Sequence, residues 1–83
     1  MIAKGEVLRR GPRGVLVRHN GKLYEMGYGA YLLWKAFEED STPEEVIAQA
    51  IAITGMRREE AESIVYSFVE TFRQIGLIGD PEP

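Results

Sequence analysis

Few side chains in this sequence could carry out chemistry. The single histidine, His19, sits beside Asn20-Gly21, with no second histidine and no cysteine to share a metal ion, so it reads as a solvated turn residue. Carboxylates come in runs, Glu38-Glu39-Asp40, Glu44-Glu45 and Glu59-Glu60. Paired carboxylates can do acid–base work, but these fall at the ends of expected helices, where first-turn acids favour the helix dipole. Ser41, Ser63 and Ser67 have no histidine to activate them. "GYGAYL", residues 27 to 32, has two glycines but lacks the third glycine and the preceding parallel strand of a dinucleotide loop. No catalytic residue, metal or cofactor is expected, which leaves binding.

The chain that must position a binding surface has 83 residues, 45% of them apolar, enough for one small domain with a thin core. No stretch approaches the ~20 apolar residues of a membrane span. The start, "MIAKGEVLRRG", carries charges where a secretory signal is apolar, so a cytoplasmic protein without a membrane partner is expected. Ten basic and 13 acidic side chains leave a net charge of −3. That balance argues against nucleic acid, which needs clustered Lys and Arg. The basic run "RRGPRGVLVRHNGK" reads as the solvated edge of a hairpin.

The expected fold is α+β: a three-stranded antiparallel meander followed by three helices, in one domain over 1–79 with a frayed tail at 80–83. Residues 3–9 are a weak strand candidate, "GPRG" a turn, and "VLVRH", 15–19, a firmer strand. Asn20-Gly21 is a strong signal for a type I′ hairpin turn, which needs positive φ at both central positions. "KLYEM", 22–26, completes the meander, with Tyr24 and Met26 on one face and Leu23 and Glu25 on the other. A helix over about 29–39 presents Ala30, Leu33, Trp34 and Phe37. Thr42, Pro43 and Glu45 announce a second helix through a capping box. Its core face is Val46, Ile47, Ala50 and Ile51, and Gly55 stops it. The third, about 57–75, ends at Gly76, with Leu77 and Ile78 placed to fold back onto the core.

At ~100° per residue, Ala61, Ile64, Val65, Phe68, Phe72 and Ile75 of the third helix share a core stripe. Glu62, Tyr66, Val69 and Arg73 form a second stripe roughly 80–140° away. Tyr66 and Val69 one turn apart are unusual on a solvent face, and either extend the core boundary or line a binding surface. Together with the free edge of "KLYEM", whose N–H and C=O groups are open to an extended chain, they point to a groove.

This order of elements, with "MGYGAYLLWKAF" at the strand-to-helix junction, "STPEEVIAQAIAITG" and the ending "FVETFRQIGLI", resembles the PqqD-like fold. That fold is the winged-helix-like precursor-peptide recognition element of ribosomally made peptide biosynthesis. The resemblance covers residues 5–79. Met26-Gly27 stands where the family commonly has Leu-Asn. A free-standing chain of this length is most similar to the recognition proteins of lasso-peptide biosynthesis. The resemblance implies that a precursor's leader adds as a strand on the third strand, through Leu23, Tyr24, Glu25 and Met26. Glu62, Val65, Tyr66, Val69 and Arg73 would line the groove, Arg73 meeting an acidic leader residue or a carbonyl. The implied partners are the leader and a separate leader peptidase, for a monomer or weak edge-paired dimer. A carrier for a radical-SAM enzyme, as in pyrroloquinoline quinone synthesis, and a winged-helix DNA-binding regulator are the alternatives. The DNA reading is disfavoured by the net −1 charge of the third helix.

Overall fold

A computed structural model describes residues 1–81; of the expected tail, 82 and 83 lie outside the described residues, and Asp80 and Pro81 are exposed. The chain runs β1 (Ile2–Ala3), β2 (Glu6–Arg10), β3 (Gly14–His19), β4 (Lys22–Gly27), α1 (Tyr28–Lys35), α2 (Pro43–Thr54), α3 (Arg58–Ile75) and β5 (Ile78–Gly79). Strands β2, β3 and β4 form the expected antiparallel sheet in that order, and the three helices follow. The α+β architecture is as the sequence implies.

Two short strands were not expected. The candidate at 3–9 divides at Lys4-Gly5 into β1 and β2, and β1 pairs with β5 through Ile2↔Gly79 and Ala3↔Ile78. Gly5 turns the chain at φ +115°, with Val17 Cγ1 3.0 Å and Leu77 Cδ2 3.3 Å from where a Cβ would stand. An L side chain has no room and no easy backbone there. The N-terminus is held further by its amino group at 2.7 Å from Asp40 Oδ1 and by the Ala3 amide, which donates to the Phe37 carbonyl at 2.7 Å. Two residues with no alternation of their own carry no strand signal; their partner lies at the far end of the chain.

The local signals are obeyed closely. Asn20 and Gly21 have φ 50° and 76°, as a type I′ turn requires. The Thr42 side chain accepts from the Glu45 amide and Glu45 reaches back to the Thr42 amide, completing the capping box, and Gly55 is left-handed. Gly76 likewise ends α3 in the left-handed region.

The core joins Val15, Val17 and Met26 from the sheet to Tyr31, Trp34 and Phe37, Val46 and Ile47 from α2, Ala61, Val65, Val69 and Phe72 from α3, and Leu77 and Ile78. Leu77 and Ile78 therefore do fold back. Trp34 Nε1 donates to the buried Leu77 carbonyl at 2.9 Å, tying α1 to the chain end. Helix α1 stops at Lys35, short of the expected 39, and buries Tyr31 besides Trp34. Ala30 and Leu33 are only half-buried.

Candidate functional site

The sheet has two edges, β2 and β4, and they differ in fitness for pairing. β2 carries a bulge between Val7 and Arg9 and charged residues at Glu6, Arg9 and Arg10, both of which blunt an edge. Arg10 Nη2 donates to the Tyr31 hydroxyl at 2.8 Å and holds that phenol below its usual range. The Tyr28 hydroxyl donates to the Gly11 carbonyl at 2.6 Å. The β2–β3 hairpin is thus pinned to α1. β4 pairs with β3 without a break from His19↔Lys22 to Gly14↔Gly27. Among the described residues no strand pairs with its other side.

Register decides which groups β4 offers. In a two-residue hairpin the residues flanking the turn, His19 and Lys22, exchange hydrogen bonds, and bonded and non-bonded pairs then alternate. Lys22, Tyr24 and Met26 therefore point their N–H and C=O at β3. Leu23 and Glu25 point theirs outward, as does the Gly27 N–H, while the Gly27 carbonyl stands at the N-cap of α1 and serves that helix. The sequence assigned all four of Leu23, Tyr24, Glu25 and Met26 to a ladder; register keeps Leu23 and Glu25, adds Gly27 and turns Tyr24 and Met26 inward. Their side chains alternate as expected: Leu23 and Glu25 are exposed, Met26 is buried and Tyr24 half-buried.

The C-terminal end of α3 stands beside this hairpin. The Tyr24 hydroxyl donates to the Ile75 carbonyl at 3.4 Å, and the His19 ring lies against Gly76. The helix is rotated from its expected orientation, however. Its buried residues are Ala61, Val65, Val69 and Phe72, a direction about 45° from the centre of the expected stripe at ~100° per residue. Ile64 and Ile75 keep 36% and 39% of their surface exposed, and Phe68 is half-buried beside Phe72, ring centroids 5.9 Å apart.

The cause is the neighbour on the opposite flank. α2 packs along α3 there, and the Tyr66 hydroxyl donates to Glu44 at the start of α2. That bond favours the neutral phenol and raises its pKa. Arg58 bridges the same Glu44 at 3.0 Å and Glu62 at 2.8 Å. Val69 keeps only 6% of its surface exposed, and with Tyr66, Arg73, Met1 and Pro43 it lines an open cavity of about 440 Å³.

The expected site residues therefore separate. Leu23, Tyr24, Glu25 and Met26 stand on β4. Val65 and Val69 belong to the core, while Glu62, Tyr66 and Arg73 face the start of α2 and Met1. The apolar flank that remains uncovered is Ile64, Phe68 and Ile75, which the sequence reading placed inside the core. One signal could have found it: the apolar arc of α3, from Ile64 round to Val69, is wider than a single packed face.

Among the described residues no cluster of His, Cys, Asp or Glu could hold a metal ion, and no helix is long and apolar enough to cross a membrane. What the fold and edge define is a small α+β module whose distinguishing surface is an open, regular strand. A family model described as coenzyme PQQ synthesis protein D (PqqD) matches residues 13–78, and the chain belongs to that family. The solved structure of TbiB1 in complex with the TbiA(beta) leader peptide shares the fold, with a TM-score of 0.76 over 100% of both chains at 19% sequence identity. No curated protein sequence matches.

Proposed function

We propose that this protein is a non-catalytic adaptor that binds the leader segment of a ribosomally synthesised precursor peptide and presents it to a maturation enzyme. The observation that carries this reading is the unpaired β4 edge, with Leu23, Glu25 and Gly27 directing backbone groups outward, beside the uncovered apolar flank of α3. An extended peptide on this edge gains main-chain hydrogen bonds, and alternate side chains drop toward Ile64, Phe68 and Ile75. Bonds supply affinity for any strand; the apolar flank supplies selectivity. Family membership and a neighbour solved with a leader peptide support the same reading.

The maturation enzyme in a lasso-peptide setting is a separate leader peptidase. The family description, coenzyme PQQ synthesis, favours a second reading with the same edge, in which the precursor is carried to a radical-SAM enzyme. Amide exchange tests the shared step. On adding the leader of a precursor encoded in the same gene cluster, the amides of Leu23, Glu25 and Gly27 should slow, while those of Lys22, Tyr24 and Met26 are already slow in the free protein. Protection appearing on β2 instead would place the peptide on the other edge.

A further inference from the structure

Beyond the ladder, the sheet carries a second feature that peptide pairing alone does not use. On its outer face, away from the helices, register sets Arg9, Leu16 and Glu25 in one row across the three strands. At the end of that row the β2–β3 turn and the end of β4 enclose an open cavity of about 560 Å³, with Arg13, Gly11, Gly14 and Gly27 in its lining. A Cβ at Gly27 would meet nothing within 4 Å, so that end of the lining is open, while Gly14 is held to glycine by the Met26 carbonyl of the paired strand. Arg9 and Arg13 are exposed, and among the described residues neither has an ionic or hydrogen-bond partner. Two free guanidiniums beside a cavity are suited to a carboxylate.

Resting on the reading of β4 as a peptide-binding edge, we infer that this cavity holds an acidic residue of the same bound peptide, just past the Gly27 end of the ladder. Continuity favours that occupant. Glu25, Met26 and Gly27 belong both to β4 and to the cavity lining. α1 leaves directly from Gly27 and covers the inner face, so a peptide continuing beyond β4 has the outer face open to it. Glu25 stands on the β4 side of the cavity, which directs the carboxylate toward the turn, where Arg13 lies. The peptide class implied is an extended apolar segment with Asp or Glu one to three residues beyond the paired stretch.

Random dodecapeptides displayed on phage and selected against the wild-type protein test this inference. Selected peptides should alternate apolar residues and carry Asp or Glu at one end. A synthetic copy of one such peptide should bind Arg9→Ala/Arg13→Ala about tenfold more weakly than wild type, as expected for charge-assisted contacts. Its Asp→Asn or Glu→Gln version should bind both proteins alike, and amide shifts at Gly11 and Gly14 should accompany the acidic peptide only. Because both arginines are exposed, the double variant should melt as wild type does. Peptides that protect β4 amides but show neither acidic enrichment nor sensitivity to the double variant would overturn the inference and leave the edge intact. Failure to select any peptide that protects β4 would overturn both.

Discussion

Two aspartates placed five positions apart on α3 should fail in opposite ways. Val69 is 6% exposed, under the α2 flank. Val69→Asp gives up about 1.5–3 kcal/mol of apolar burial, and burying a carboxylate with no partner adds at least about 2 kcal/mol. The total of about 4 kcal/mol compares with a stability of roughly 4–12 kcal/mol for a domain of this length. At about 4–8 °C per kcal/mol, the variant should melt some 15 °C or more below wild type, or not fold. Ile64 is one-third exposed, so an aspartate there stays hydrated. Partial loss of burial and a weaker helix former should cost about 1–1.5 kcal/mol, a drop of roughly 5–10 °C. Bound leader would place an apolar side chain over Ile64→Asp, costing about 2 kcal/mol of affinity, near thirtyfold. Circular-dichroism melts and leader titrations on both variants separate the effects. If Val69→Asp melts within a few degrees of wild type, the assignment of that flank to the core is wrong. If Ile64→Asp binds leader as wild type does, the peptide does not lie on the flank assigned to it.

Thr42→Ala removes one half of the capping box and should cost about 1 kcal/mol in a denaturant titration without changing leader affinity; a larger effect on binding than on stability would mean α2 touches the peptide. Trp34→Phe removes one of two donors to the buried Leu77 carbonyl, the Lys4 amide remaining at 2.8 Å, and should cost about 0.5–1.5 kcal/mol, read as a lower urea midpoint at unchanged slope. Leader affinity should fall by less than about tenfold between 50 and 200 mM salt, where a duplex-DNA complex with six or more phosphate contacts would lose about a thousandfold or more. Tight, steeply salt-dependent DNA binding would contradict the proposed class.

Most of the local structure was legible in the sequence because each signal acts within a few residues. Asn20-Gly21 dictated the turn, although the outward set on β4 emerged only from the pairing register with β3. Thr42, Pro43 and Glu45 started α2, while Gly55 and Gly76 ended helices where only a residue tolerant of positive φ fits. Tertiary structure alone decided the rest. β1 exists because Ile78 and Gly79, at the other end of the chain, offer it backbone groups, and no pattern in two residues can announce a distant partner. The rotation of α3 has the same origin. Periodicity yields the direction of a helix's apolar arc, but the arc from Ile64 to Val69 is broader than one contact. Which part is buried depends on the neighbours that cover it. With α2 and Met1 on the Val69 side, Val69 joins the core and Ile64, Phe68 and Ile75 are left uncovered, so the candidate groove lies on the opposite flank of the helix from the one the sequence suggested.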